Sequence, residues 1–423
     1  MSEATLTVTE IGVRGDGIAR HDSERIFLPL TAPGDVVRAR LGERRGGGRS
    51  ATVLAILRQG ARAAPPCLHF GRCGGCALQH LAPEAYAGAK TEWLAAALRQ
   101  HRVSADSILP LQSMPPGTRR RARFAIRRSR REDVSAAIGF HARASHSVVD
   151  MRQCAVLHPA LVRLLDPLRR LAPDLIPPDG AAAATVTLAE TGIDLLVDLP
   201  MRPGLMALEA MAELARSQPL ARIAWRAPGE AVTPAAQLCP VRVIFAGIAV
   251  DLPGDAFLQA SADADAALAA AAREAVGPVR RIADLYAGVG TLTFALSDAA
   301  MVHAVDGDEA AVAALITAAA RAGLAGRITA ERRDLEARPL APTELARFDA
   351  VVFDPPRSGA RAQSQALAAS SVQRVVAVSC NPATFARDAR TLVDGGYRLV
   401  TVQPIDSFVW SPHLELVARF DRV

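Results

Sequence analysis

From about residue 256 the chain alternates short apolar runs with stretches of helix length, and few architectures accept that pattern. R-I-A-D-L-Y-A-G-V-G-T-L-T reads as a strand, a glycine turn and a helix start, and M-V-H-A-V-D-G-D-E is a second strand ending at Asp306. I-T-A-E-R-R-D-L ends near Asp334 and F-D-A-V-V-F-D-P-P-R at Asp354. V-V-A-V-S-C-N-P-A-T-F-A-R-D (375–388) follows, then Y-R-L-V-T-V-Q-P-I-D and H-L-E-L-V-A-R-F. Regular β/α alternation is the signal for a parallel sheet. Such sheets place their ligands beyond the carboxyl ends of the strands.

Two of those ends carry chemistry. A glycine loop after one strand and an acidic residue ending the next (Asp306) make a nucleoside site: the glycines allow close approach and the carboxylate holds ribose hydroxyls. No third glycine is present to receive a pyrophosphate, so a cofactor without a phosphate chain fits better, and S-adenosylmethionine is the usual one on this plan. Cys380 follows a buried apolar run, and Asn381-Pro382 stop that strand because proline has no N–H for the ladder. A free cysteine is more often a buried small hydrophobe, but a thiolate here can add to carbon 6 of a pyrimidine. Carbon 5 then becomes nucleophilic enough to take a methyl group, and a base must afterwards remove its proton. Glu415 is the candidate base, provided that its strand runs antiparallel beside the Cys380 strand. His413, two residues earlier, would share its face.

Ahead of this unit the chain is organised differently. Residues 1–58 read as five short strands punctuated by Gly15, Gly17, Gly34 and the 45–49 loop, which suggests a small closed barrel of the OB type. Residues 63–80 place Cys67, Cys73 and Cys76 in a C-x5-C-x2-C pattern with two glycines between the last pair. Glycines let backbone wrap a cluster and turn N–H groups toward its sulfurs. Three thiolates need a fourth ligand, for which Cys154 is the best candidate; a four-iron cluster is favoured, with zinc the lesser option. Residues 118–131 hold eight arginines. Arg119, Arg121, Arg123 and Arg127 alternate with Ala122, Phe124 and Ile126, as in a half-buried strand whose wet face could neutralise phosphates. Pro177-Pro178 interrupt the following stretch, and Cys239 reads as a core residue.

At 423 residues, two or three domains are expected. Half of the residues are apolar and 22% charged, which is an ordinary globular composition. The net charge of +6 allows a polyanionic partner. Lys90 is the only lysine among 49 basic residues, a skew that reflects coding bias more than chemistry. The first residues lack the basic and apolar regions of a signal peptide, and there is no 18-residue apolar stretch, so a cytoplasmic monomer without membrane contact is expected.

Taken together, G-x-G-I-A-R, C-x5-C-G-G-C-x-L-Q-H, F-L-Q-A-S, D-L-Y-A-G-V-G, D-P-P-R-x-G, S-C-N-P-A-T-F-A-R-D and H-L-E resemble, nearly end to end, the RNA uracil-5-methyltransferases. The likeness is to the TRAM-bearing, iron–sulfur bacterial 23S ribosomal RNA type. The resemblance implies a multidomain α/β protein: a TRAM/OB-like barrel over 1–60, a central α+β domain with an iron–sulfur cluster over 61–255, and a class I, Rossmann-like methyltransferase domain over 256–423. It makes Cys380 the nucleophile and Glu415 the base. Gln259, Tyr286, Thr291, Asp306, Asp334 and Asp354 would surround S-adenosylmethionine, with Asp354 also near the flipped uracil. Cys67, Cys73, Cys76 and Cys154 would hold a [4Fe-4S] cluster. RNA, most plausibly 23S ribosomal RNA, is the implied partner; transfer RNA, or an RNA-binding protein without turnover, are the alternatives. Four positions depart from the pattern: Ala287, Ser261, Thr291 and Val409, the last in the loop before Glu415.

Overall fold

The computed structural model describes residues 2–130 and 136–423, so Arg131, the last of the eight clustered arginines, lies outside the described residues. The alternating C-terminal third forms the sheet that carries the rest. Its strands lie in the order Ile328–Arg332, Met301–Asp306, Arg281–Leu285, Ala350–Phe353, Arg374–Ser379, Glu415–Arg422, Tyr397–Asp406 and Ala105–Ile108, with Gln112–Ser113 also on the Tyr397–Asp406 strand. The first five are mutually parallel, and Glu415–Arg422 runs antiparallel to both of its neighbours.

The apolar runs are continuous because both faces are covered. Val351, Phe353, Val375 and Ala377 pack on one side with Phe385 and Leu392 of helix Pro382–Asp394. Ala350, Val352, Val376 and Val378 pack on the other with Leu268 and Ala272 of helix Ala262–Val276. Asn381 caps helix Pro382–Asp394 by accepting from the Ala383 amide at 3.1 Å, with Pro382 in its first turn. Ser261 caps helix Ala262–Val276 by accepting from the Ala264 amide at 3.1 Å, so the serine found in place of asparagine keeps a capping oxygen.

The outermost strand comes from far upstream. Residues 105–108 fall in the segment that sequence reading assigns to the central domain, yet they pair in parallel with Leu399–Val402. Helix Pro83–Gln100 accompanies them and buries Leu94 and Leu98 in the same core as Val375 and Leu399. The sequence gives no hint of this, because one short strand followed by polar turns looks the same in any sheet.

Two further sheets precede it. Residues 3–58 form a six-stranded sheet in the order Glu3–Thr7, Val36–Arg45, Gly48–Arg58, Glu24–Leu28, Gly17–His21, Glu10–Ile11. Its two end strands are consecutive halves of one segment bent at Val8–Thr9, so chain connectivity ties the two ends of the sheet together. The central sheet runs Ala137–Gly139, Arg121–Arg127, Ala181–Ala189, Gly192–Asp198, Leu220–Arg226, Thr233–Gln237 and is covered by helices Leu165–Leu175 and Leu205–Ser217. Arg121–Arg127 alternates as its sequence indicates: Ala122, Phe124 and Ile126 are buried beneath the arginines. It is an interior strand, paired on both sides. Its wet face is less free than the sequence implies, since Arg123 holds Asp198 at 2.5 Å and Arg127 holds Asp179 at 3.2 Å. Pairs of this kind near the surface contribute little to stability. Cys239 packs partly buried against the core near Val241 and Val250. Among the described residues no helix is long and apolar enough to cross a membrane.

If helix Pro83–Gln100 belongs to the C-terminal core, Leu94→Ala should destabilise that core by about 2–5 kcal/mol, the usual range for a buried leucine truncation. A lower urea midpoint, followed by near-UV signals of the C-terminal unit, would register it; an unchanged midpoint would place the helix outside the core.

Candidate active site

Every strand end singled out in the sequence arrives at one edge of the large sheet, because parallel strands share their polarity. Asp306, Tyr286, Asp354 and Cys380 end or follow adjacent strands. The last strand runs the other way, so its beginning lies at the same edge: Leu416 pairs with Ser379, and Glu415 with Ile405. The chain reverses between these strands through residues 407–414, and Glu415 opens the return strand beside Cys380.

Glu415 is 3% exposed and accepts a short hydrogen bond from the Ser407 hydroxyl. Burial pushes its carboxyl up to about 8, the Ser407 bond opposing and the nearby Asp354, Asp265 and Asp406 carboxylates adding to the rise. Desolvation dominates because nothing positive is bonded to the group. The Cys380 thiol is likewise raised, first by burial and then by Asp354 and Glu415, with Arg357 pulling the other way. Asp354 is pushed up to about 7 by burial and by Asp284. Gln259 donates to its Oδ2 at 3.2 Å, while the Gln259 amide oxygen is buried without a partner.

The turn 286–290 is built for close approach. Tyr286 and Gly288 adopt φ of 61° and 55°, and Gly290 a φ of 100° where a Cβ would meet the Phe294 ring at 2.5 Å. Thr291 begins the helix that follows. Asp306 accepts from the Gly288 amide at 2.8 Å and from the Asp308 amide at 2.8 Å, fastening the turn to the second strand. A carboxylate has about four acceptor positions, which leaves two for a ligand. The Tyr286 hydroxyl is buried without a partner, and its proton is held tightly by burial and by the Glu336, Asp388, Asp334 and Asp306 carboxylates around it. Asp334 is exposed and accepts from the Glu336 and Ala337 amides of its own turn at 3.0 and 3.2 Å.

The four clustered cysteines stand at the other end of the same site. One cavity of about 510 Å³ is lined by Cys67, Cys73, Cys76 and Cys154 together with Arg119, Arg357, Cys380 and Glu415. Burial pushes the Cys76 thiol up to about 12, with the other three thiols adding, and raises those of Cys73 and Cys154, to which Cys67 adds. The Gly75 amide donates to Cys73 Sγ at 3.4 Å, and the Gln79 side chain holds the Cys67 amide at 3.2 Å. Among the described residues no group of three or more His, Cys, Asp or Glu side chains is placed to hold a metal ion, so the geometry supports neither the expected iron–sulfur cluster nor the zinc option.

Ser407 and Asp284 escape sequence reading, and Arg357, His413 and Arg119 take contacts that it does not foresee. Arg357 donates to the His413 ring at 2.6 Å and, with burial, holds that imidazole down to about 4. His413 therefore faces Arg357 as a neutral acceptor. Arg119 stacks over the Phe408 ring at 5.3 Å. Ser407 and Asp284, the latter 1% exposed and bonded to the Thr293 hydroxyl at 2.6 Å, were ordinary strand-end residues in sequence. Lys90 drew notice only as the sole lysine.

Comparison with known proteins agrees with this geometry. The family profile described as tRNA (Uracil-5-)-methyltransferase matches residues 248–422. An RNA methyltransferase of Caulobacter vibrioides is 42% identical over 423 residues, covering 99% of both chains. The 23S rRNA (uracil(1939)-C(5))-methyltransferase RlmD of Chromohalobacter salexigens is 34% identical over 432 residues, covering 99% of this chain and 89% of that one. Among solved structures, Pyrococcus abyssi tRNA (uracil-54, C5)-methyltransferase in complex with S-adenosyl-L-homocysteine has a TM-score of 0.73 over 98% of this chain and 99% of that one, at 21% identity, and shares the fold. On this sequence similarity over its whole length, the chain belongs to the RNA uracil-5-methyltransferase family.

Proposed function

We propose that the protein methylates carbon 5 of one uridine in 23S ribosomal RNA, using Cys380 as nucleophile and Glu415 as base. The observation that carries this reading is the meeting of a thiol and a buried carboxyl of raised pKa in one cavity at the ligand-binding edge of the sheet. The choice of ribosomal over transfer RNA follows the 23S rRNA enzyme that matches along nearly the whole chain, and the N-terminal sheet is read as an RNA-binding TRAM barrel. We take the chain as three units over 1–60, 61–255 and 256–423, with residues 83–113 serving the third.

The methyl donor fits the turn. Tyr286, Thr291, Asp306 and Asp334 would hold the nucleoside end, and Gln259 and Asp354 the end facing Cys380; the unpartnered Gln259 and Tyr286 atoms mark places where a ligand would complete bonds. Bound S-adenosylmethionine supplies a methyl group on a positively charged sulfur. The Cys380 thiolate adds to carbon 6 of the extruded uracil, forming the C6–S bond and leaving carbon 5 as an enolate carbon. That carbon takes the methyl group, and its bond to the donor sulfur breaks. Glu415 then removes the carbon-5 proton, the C6–S bond breaks, and the Cys380 thiolate leaves with the C5–C6 double bond restored.

The four thiols line one cavity, and we take them as ligands of a polynuclear cluster in preference to one zinc ion, whose sites usually pair two C-x2-C knuckles where this chain has one. The Gly75 amide on Cys73 matches the N–H···S contacts that clusters receive. We therefore read Cys67, Cys73, Cys76 and Cys154 as ligands of a [4Fe-4S] cluster that joins residues 67–76 to Cys154. Since methyl transfer moves no net electron, its role is structural.

Three measurements test these readings. Cys380→Ala should abolish methylation and form no covalent adduct, whereas Glu415→Gln should methylate once and remain bonded to the RNA as a band that survives denaturation, with turnover lowered by about 10²–10⁴. Wild-type turnover in Glu415→Gln would refute the assignment of the base. Because the base must be ionised and its pKa is raised to about 8, breakdown of the adduct in single turnover should speed up as pH rises toward 8 and level off above it; a rate flat from pH 6 to 9 would exclude Glu415. Protein purified anaerobically should be brown and lose its colour on Cys73→Ser, and a colourless protein carrying one zinc ion would overturn the cluster.

A further inference from the structure

The only lysine of the chain is placed where lysines are rarest. Lys90, on helix Pro83–Gln100, is 0% exposed, and so is the side chain of its partner Asp406. An ammonium group has three donors, and all three have acceptors here: the Asp406 carboxylate, the His413 carbonyl at 2.8 Å and the Phe408 carbonyl at 3.5 Å. Asp406 also accepts from the Tyr86 hydroxyl, one helical turn before Lys90, and that same hydroxyl accepts from the Trp410 amide at 2.8 Å. From the opposite side the Ala77 and Leu78 amides hold the Trp410 carbonyl at 2.9 and 3.1 Å. Trp410 itself sits at φ 59°, a conformation that a bulky side chain adopts only when its surroundings fix it.

These contacts converge on residues 407–414, the reversal between the last two strands. Phe408 and His413 lie near its two ends, and a single ammonium holds both carbonyls. Ser407, next to Asp406, is the residue that donates to the Glu415 carboxyl. The path from Lys90 to the carboxyl thus has three steps: the ion pair to Asp406, one peptide bond to Ser407, and the hydroxyl contact.

A buried ion pair is a poor stabiliser, because desolvation consumes most of its attraction, and a well-packed apolar pair would do as well or better. What it adds is geometry: three directed bonds leave the loop one arrangement, where apolar packing would allow several. We propose that Lys90, with Tyr86 and Asp406, is a positioning residue for carbon-5 proton removal, locking the 407–414 reversal so that Glu415 meets the methylated intermediate. This rests on the reading of Glu415 as the base. Lys90 does not line the cavity that contains Cys380, so the thiolate's addition and the methyl transfer are left to other residues.

The test separates formation of the adduct from its breakdown. In vitro transcribed 23S ribosomal RNA is made with uridine or with 5-fluorouridine, which cannot lose fluorine as a cation and so traps the enzyme after methyl transfer whether or not a base is present. Lys90→Met should form the fluorinated adduct at a rate within about threefold of wild type, while its turnover on ordinary RNA falls by about 10- to 100-fold, the scale of an ångström's misplacement of a catalytic group. A denaturation-resistant band should accumulate with ordinary RNA. Parallel losses in adduct formation and turnover would show a merely structural role and overturn the proposal, as would wild-type turnover. Glu415→Gln run alongside keeps the two readings apart: if it accumulates the band and Lys90→Met does not, the positioning role fails alone; if neither does, the base assignment fails. Should Lys90→Met not yield folded protein, Tyr86→Phe removes only the hydroxyl between Asp406 and Trp410 and should show the same split with a smaller loss; wild-type turnover or equal losses in Tyr86→Phe would count against the proposal in the same way.

Discussion

The burial of Glu415 without a cation of its own is the constraint on which the site depends. A carboxylate withdrawn from water costs several kcal/mol even after the surroundings relax, and one hydroxyl hydrogen bond returns about 1.5–3 kcal/mol. Three cations nearby are engaged elsewhere, Lys90 with Asp406, Arg120 with Asp265 and Arg357 with His413, and Arg119, which shares the cavity, makes no ion pair with Glu415 among the described residues. The group answers by holding its proton to about pH 8. If Glu415 is the proposed base, that strength matches it to a weakly acidic C–H better than an ordinary surface glutamate would be. Pairing it with any of those three cations would lower its pKa and its usefulness together.

The same economy explains the antiparallel strand. In a wholly parallel sheet only strand ends reach the ligand edge, and each is followed by a turn into a helix. Reversing Glu415–Arg422 between Arg374–Ser379 and Tyr397–Asp406 brings a strand beginning to that edge, with its first residue already fixed in a ladder. Cys380 and Glu415 then lie on neighbouring strands at adjacent registers, and neither position depends on a long loop. Only the reversal 407–414 is irregular, and it is tied on both sides.

How much of this could be read from the sequence follows from the range of each interaction. Local signals held: apolar runs gave the strands, Asn381-Pro382 gave the helix start, and alternation gave the Arg121–Arg127 strand. The conditional placement of Glu415 beside Cys380 also held, because topology at the end of such a sheet leaves few choices. What could not be read was long-range. Strand Ala105–Ile108 pairs with residues nearly 300 positions later, and Lys90 finds Asp406 across a similar gap, with no pattern in either segment that points to the other. The arginine face was misjudged for the same reason: its aspartate partners, Asp179 and Asp198, come from other strands and turns. His413 and Glu415 do line the same cavity, but the contact of His413 with Arg357 was not foreseen.

One cavity joins the cysteine segment to Cys380 and Glu415. The segment that supplies Cys73 and Cys76 runs on directly into Ala77 and Leu78, whose amides hold the Trp410 carbonyl. Arg119, beside Cys154 and Cys76, stacks on Phe408. Residues 407–414 are therefore gripped by helix Pro83–Gln100 on one side and by the cysteine segment on the other. A cluster bound among the four thiols, as proposed, would fix residues 67–78. The order so gained would pass through two backbone hydrogen bonds to the loop before Glu415. On that proposal the cluster would make one wall of the reversal rigid while the Lys90 pair makes the other.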